Sequence, residues 1–338
     1  VSKFVSPDIL TSGSLKGLIP TYRAAWGHKE GEVYLATGRG NVLRYVASPP
    51  STQLAGPLPF VSARIGGELA VATGAGGSEY FLYDDGTVFG TDGRKISALP
   101  TLPVITTLYD GYTAPTGELF VGGNAGNVYK YTPATNSWTS MKAGTVTAAV
   151  FAIGGVSAND FYVGTSFGNI YRYASGSLPT SSIYVTASAA IQSIWGRTSS
   201  EVWAVGGTEG IRINNGVATK QAAVPTVVGD NLIGVGGPPS PSSHVWMVGA
   251  GGLVIRYDGT SWSKLTSGVT TDLNTVAALS ESDVWIAGDS GVVLRWDGTS
   301  LKQVAGPFGD RNLTKIHSPA ASDLWLVGYG NAVWRYMP

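Results

Sequence analysis

Few residues in this chain could do chemistry alone, and they stand out because they interrupt an otherwise repetitive text. Glu209 and Asp289 could supply a carboxylate pair for glycoside hydrolysis, one as acid and the other as base or nucleophile, if the fold brings them within reach. Arg39, Asn124, Phe167 and Tyr329 add hydrogen-bonding and stacking groups suited to a polar ligand, a glycan or a protein partner. The plain alternative for all six is that they are solvated turn residues. His28, His244 and His317 are scattered, with no His-x-x-x-His spacing and no aspartate-rich calcium loop, so no metal site is expected. Cysteine is absent, which excludes thiolate chemistry and disulfides. The glycine-rich runs Gly38-Arg39-Gly40-Asn41 and Gly122-Gly123-Asn124-Ala125-Gly126-Asn127 lie between strand-like segments, whereas a phosphate cradle would lead into a helix. No cofactor is therefore expected, and the reading leans away from an enzyme.

Two further residue classes tempt a functional reading and fail it by repetition. Arg44, Lys130, Arg172, Arg212, Arg256, Arg295 and Arg335 recur at one position, usually before Tyr or Trp. A cation repeated around a closed array points in as many directions as there are repeats and cannot converge on one ligand. It is expected to pair with a neighbouring acid or stack on an aromatic ring. Trp203, Trp246, Trp285 and Trp325 share another position, with Tyr34, Phe120 and Tyr162 as equivalents and Leu69 breaking the series. A sugar platform is conceivable. An aromatic in the middle of every repeat is better explained by sheets pressing together, with each buried ring contributing about 2–3 kcal/mol.

The elements that must position these groups are read from a phrase said eight times, clearest in Ser282-Asp283-Val284-Trp285-Ile286-Ala287-Gly288 followed by Val292-Val293-Leu294-Arg295-Trp296-Asp297-Gly298. Its copies align on Gly38, Gly74, Gly122, Gly164, Gly206, Gly249, Gly288 and Gly328, separated by 36 to 48 residues. That period is the length of a four-stranded propeller blade. Each copy reads as four short strands, and Asp85-Gly86, Asn215-Gly216, Asp258-Gly259 and Asp297-Gly298 are expected to turn the third into the fourth. The fold class is thus all-β: one β-propeller over 1–338, of eight four-stranded blades, or seven if the weak second copy is an insertion. The last copy stops after a third strand, and Gly13-Ser14-Leu15-Lys16-Gly17-Leu18 resembles the outer strands, so segment 1–18 is expected to complete that blade.

Composition agrees and narrows the partners. Glycine numbers 47, hydrophobic residues are 43% and charged residues only 13%, a profile of many strands and tight turns. The 22 basic and 22 acidic residues cancel and form no basic run, so nucleic acid is not an expected partner. No apolar stretch reaches the roughly 18–20 residues of a membrane span, so membrane insertion is not expected. The opening at Val1, with no Met and no signal-like core, suggests a processed protein or an excised domain.

The phrases Ser282-Asp283-Val284-Trp285 through Asp297-Gly298-Thr299-Ser300, and His244-Val245-Trp246 through Asp258-Gly259-Thr260-Ser261-Trp262, resemble the repeats of secreted bacterial propellers. They are similar in style to bacterial neuraminidase (BNR) repeats and to the photosystem assembly-factor type. Sialidase Asp boxes keep one residue between Asp and Gly, which Asp258-Gly259 lacks. The resemblance implies a bacterial protein in a secreted or cell-surface setting, the periplasm included. The expected function is a non-catalytic recognition module for a glycan or protein on one rim. A polysaccharide-active hydrolase or lyase, or a structural component of a surface assembly, are the alternatives.

Overall fold

The computed structural model describes residues 3–5, 22–29, 32–37, 42–48, 51–54, 69–75, 78–83, 86–91, 96–104, 107–176, 179–186, 189–306, 308–310, 312–320, 323–328 and 332–337. Among them there is no α-helix, and hence none long and apolar enough to cross a membrane. Five four-stranded antiparallel sheets follow one another between 108 and 303. Leu108–Thr113, Leu119–Gly123, Val128–Thr132 and Ser137–Ser140 form the first. Val150–Ser157, Asp160–Thr165, Asn169–Ala174 and Tyr184–Val185 form the second. Ser193–Thr198, Glu201–Gly206, Glu209–Asn214 and Val217–Lys220 form the third. Leu232–Gly236, Val245–Gly249, Leu253–Tyr257 and Trp262–Leu265 form the fourth, and Leu273–Ser280, Asp283–Gly288, Val293–Trp296 and Leu301–Gln303 the fifth.

The other described strands pair through their backbones in the same way. Tyr22–Lys29, Glu32–Thr37, Val42–Ser48 and Ser51–Leu54 make one group, and Leu69–Ala75, Ser78–Tyr83, Val88–Thr91 and Ile96–Ala98 another. Leu313–Ala320, Asp323–Gly328 and Ala332–Met337 are joined by Lys3–Val5, with Lys3 opposite Met337. The closing segment expected at 13–18 lies outside the described residues.

The second copy of the repeat needs a correction. Gly74 and Leu69 fall in a first strand, Leu69–Ala75, and Asp85-Gly86 falls between second and third strands, not between third and fourth. Tyr80 takes the aromatic place: it is buried, meets Tyr131 of the next sheet edge-on at 5.9 Å, and donates its hydroxyl to Gly117 O at 2.9 Å. Aligning this copy on a glycine misled because its aromatic is carried by Ser78–Tyr83, one strand later.

The pattern of burial explains the sequence of each strand. Second strands such as Glu201–Gly206 and Asp283–Gly288 are buried at every position after the first, because neighbouring sheets cover both faces. They therefore read as continuous apolar runs where a half-covered strand would alternate. Fourth strands are largely exposed and carry Lys220, Lys264 and Lys302, charges that discourage edge-to-edge pairing with another chain. Each core lies between two sheets. Trp203 and Val205 pack with Leu232, Val245 and Met247, while Trp246 and Val248 pack with Leu273, Val284 and Trp296. The repeated aromatics are packing residues: Phe120, Tyr162, Trp246 and Trp285 have no exposed surface.

The glycine that ends each second strand is required by close approach. A Cβ on Gly249 would come within 2.0 Å of Asn231 O, and one on Gly288 within 2.0 Å of Asp272 O. Both oxygens belong to the segment entering the first strand of the same sheet. The glycine thus lets that incoming segment cross the end of the second strand, which is why it is the most constant letter of the repeat.

The repeated cations behave as structural groups. Arg172 and Arg295 each pair with an acid on their own sheet at 2.8 Å, Asp160 and Asp283 respectively, and Lys130 meets Glu118 at 3.5 Å. Their charged heads sit 4.9–5.9 Å from the ring opposite them. Both the pairing and the stacking expected of this position are present.

Candidate binding site at the channel mouth

The site grows from one irregularity that recurs. In four of the five sheets the pairing of first with second strand slips by one residue at the same place, between Leu108 and Asp110, Val150 and Ala152, Leu232 and Gly234, and Leu273 and Thr275. The extra residues are Tyr109, Phe151, Ile233 and Asn274. A β-bulge interrupts pairing and re-aims the side chain it carries. All four line one cavity of about 850 Å³, together with Gln192, which precedes Ser193 in the remaining sheet.

First strands of successive sheets pack side by side and wall this cavity. Their approach is close enough to demand glycine: a Cβ on Gly154 would lie 2.6 Å from Ile194 O, and one on Gly234 3.1 Å from Asn274 O. From the ring of bulge residues the cavity runs past these glycines to Trp195, Pro239 and Leu279 near the other end of the strands.

Polar groups in the wall tie one inner strand to the next. Asp110 accepts the Ile153 N–H at 2.8 Å, and Thr275 Oγ1 accepts that of Ile316 at 3.4 Å. Asn274 donates to Leu313 O at 3.1 Å and to Asp289 Oδ1 at 2.8 Å. Tyr109 donates its hydroxyl to Asn124 Oδ1 at 2.8 Å and sets its ring against Phe151 at 5.0 Å. Deeper in the cavity wall, the Tyr112 hydroxyl has no hydrogen-bond partner among the described residues. Burial, reinforced by the charges of Asp160 and Glu118, pushes it well above the usual phenol range, so it is a neutral donor at any working pH. Asp110 is the one carboxylate residue among the described residues of the lining.

The six residues singled out from sequence fare differently. Asn124 and Asp289 each open a turn between second and third strands and are bonded to Tyr109 and Asn274, so they frame the mouth. Phe167 lies in the equivalent turn of the next sheet and is 73% exposed. Arg39 and Tyr329 lie outside the described residues. Glu209 is removed from the rim: it is buried, accepts from the Tyr184 hydroxyl at 3.0 Å and pairs with Lys220 at 3.0 Å. It thereby fastens its sheet to the outer strand of the preceding one, and Tyr184, desolvated and bonded to this carboxylate, has its pKa pushed up to about 12. The Glu209–Asp289 pair does not form, since the whole 232–265 sheet stands between them and each carboxylate is engaged elsewhere. Among the described residues no three His, Asp or Glu side chains are grouped to hold a metal ion.

Sequence reasoning missed Tyr109, Phe151, Ile233 and Asn274. A signal was available: the aliphatic that leads into the first strand recurs as Leu108, Val150, Ile191, Leu232 and Leu273, while the residue after it differs in every copy. Exposed apolar side chains adjoin the mouth as well. Val227 and Val228 are 62% and 101% exposed in the connection 221–231, which Thr226 Oγ1 fastens to the turn at Thr208 O at 2.7 Å.

No family model matches this sequence, and no curated protein matches it. Solved structures match it in fold along nearly its whole length. YCF48 bound to D1 peptide shares 13% identity over 95% of this chain and 93% of that one, with a TM-score of 0.62. Sqt1 of Chaetomium thermophilum, bound to the N-terminus of the ribosomal protein L10, shares 13% identity over 95% and 97%, with a TM-score of 0.73. Virginiamycin B lyase from Staphylococcus aureus shares 13% identity over 96% and 97%, with a TM-score of 0.61. The chain has the β-propeller fold.

Proposed function

We propose that this protein is a non-catalytic recognition module that takes a peptide segment of a protein partner into the mouth of its channel. The observation that carries the reading is the recurring bulge. It turns Tyr109, Phe151, Ile233 and Asn274 toward one opening, where Gln192 of the remaining sheet joins them in a varied ring on a constant frame. The cavity of about 850 Å³ lies in the range of ligand pockets, and its mixture of aromatic, aliphatic and amide groups suits side chains and backbone together. Exposed Phe167, Val227 and Val228 near the mouth favour a protein surface over a sugar. YCF48 and Sqt1, which carry peptide and protein segments on the same fold, support the reading by analogy.

Selection of a displayed random-peptide library on the purified chain tests it, with a glycan array in parallel. Enriched peptides should bind Phe151→Ala or Tyr109→Ala about tenfold more weakly, about 1.4 kcal/mol, and Val217→Ala on an outer strand unchanged. Failure to enrich, or equal binding to all three variants, overturns the reading, and selective glycan binding would replace it.

The same proposal includes a single closed ring of eight blades in a secreted or surface setting. Packing of Tyr22–Lys29 against both Leu69–Ala75 and Leu313–Ala320, and pairing of Lys3–Val5 with the last strand, support closure. Deleting residues 1–18 should sharply lower the melting temperature. An unchanged value rejects that closure.

A further inference from the structure

Among the five sheets between 108 and 303 a regular motif sits at the other end of the strands, and it breaks once. Opposite each second-strand aromatic stands the third-strand cation, and two residues before the aromatic stands an acid: Glu118 before Phe120, Asp160 before Tyr162, Glu201 before Trp203 and Asp283 before Trp285. The acid serves the groups around it. Asp160 and Asp283 hold Arg172 and Arg295, while Glu201 accepts the Trp203 indole N–H at 3.3 Å and pairs with Arg197 at 2.9 Å. In the 232–265 sheet the acid is replaced by His244.

The consequences are concentrated at the boundary of that sheet with the next. Arg256 lies 5.7 Å from the Trp246 ring and 4.8 Å from the Trp296 ring, and the two rings are 5.5 Å apart. Arg256 Nε, Trp246 Nε1 and Trp296 Nε1 are all buried donors with no hydrogen-bond partner among the described residues, as is the His244 Nδ1 atom. Buried N–H groups are rarely left unpaired, and a guanidinium whose Nε has no partner calls for an acceptor that carries negative charge. Neighbouring carboxylates are committed elsewhere. Asp258 accepts the Thr260 and Ser261 N–H groups at 2.9 and 2.8 Å, Asp297 holds the next turn and Lys302, and Glu281 faces His244 Nε2 at 3.8 Å. The Arg256 side chain is only partly buried, so the outer part of its guanidinium can be approached from solvent while its Nε and both indole N–H groups are covered.

We propose that this boundary binds a carboxylate supplied from outside the chain, with Arg256 as its anchor and the Trp246 and Trp296 rings packed beside it. It supplies the negative charge that Asp160 or Asp283 provides in other sheets. An acidic side chain and a chain-terminal carboxylate share this chemistry.

Nitrogen-15 NMR of the intact protein tests it, following the two indole N–H signals during titration at constant ionic strength. The titrants are acetate, then N-acetylaspartate amide, then N-acetylglycine. Saturable shifts in the wild type are expected, weakened at least tenfold in His244→Asp, which installs the internal acid. Tighter binding of N-acetylaspartate amide assigns an acidic side chain, and tighter binding of N-acetylglycine a chain terminus. Loss of the response in Arg256→Gln, where that variant folds, adds support. No saturable shift with any of the three, or an equal response in His244→Asp with an unchanged far-ultraviolet spectrum, overturns the proposal.

Discussion

The sheets at 232–265 and 273–303 are near copies in sequence and in fold, yet one is electrostatically closed and the other open. Both place a fully buried tryptophan mid-strand, an arginine opposite it, and a glycine where the segment entering the sheet crosses. Two residues before the tryptophan, one has Asp283 where the other has His244. In the first case the arginine is held at 2.8 Å by its own sheet; in the second it lies between two indoles whose N–H groups have no partner among the described residues. Packing is therefore set by residues that repeat, and the capacity to bind something further by a residue that does not.

The largest effect should leave the two sheets alike. Trp246→Ala and Trp285→Ala each remove a fully buried ring and should cost about 3–5 kcal/mol in denaturant unfolding. A cost below about 1 kcal/mol for either would contradict its place in the core. Gly249→Ala and Gly288→Ala come next, at about 1–3 kcal/mol each by overpacking against Asn231 O and Asp272 O. A clear inequality between them would show that the two junctions are not equivalent.

Exchange of the distinguishing residue should split the sheets. Asp283→His leaves Arg295 without its acid and should cost about 1 kcal/mol, since the pair is partly exposed. His244→Asp should gain up to about 1 kcal/mol, and effects of the same sign would break the comparison.

The smallest effect concerns the outer turns. Asp297 is held far below the usual carboxylate range by Lys302 first and then Thr299 and Ser300, whereas Asp258 is lowered by the Ser261 and Thr260 N–H groups without a lysine. A carboxyl whose folded pKa is depressed stabilises above its unfolded value of about 3.9 and loses that contribution as pH falls through the folded one. Melting temperature followed from pH 5 to pH 2 should therefore decline less steeply in Asp297→Asn than in the wild type, with a weaker change in Asp258→Asn. A steeper decline in either variant reverses the sign and rejects the account.

Legibility from sequence followed from how local each cause is. The strand quartets between 108 and 303, the Asp-Gly and Asn-Gly hairpins at 215, 258 and 297, and the packing role of the tryptophans all rest on the repeat itself. In the second copy, where the aromatic moved to Tyr80, alignment on Gly74 put the wrong strand in register. The candidate site was half visible. Asn124 and Asp289 frame the mouth, but Glu209 was drawn into a contact with Tyr184 and Lys220 that no spacing announces.

The sequence by itself determined the repeating unit: its strand order, its turns, the buried aromatic with its cation, and the glycine that ends the second strand, because each depends on residues within one copy or the next. Only the tertiary structure decided which side chains share a space. Whether a bulge turns Tyr109 and Asn274 into one channel, and whether Arg256 meets Trp296 where an acid is missing, depends on how sheets nest across 40 residues or more of chain. That is a matter of register and close approach, to which the spacing of letters along one copy is blind.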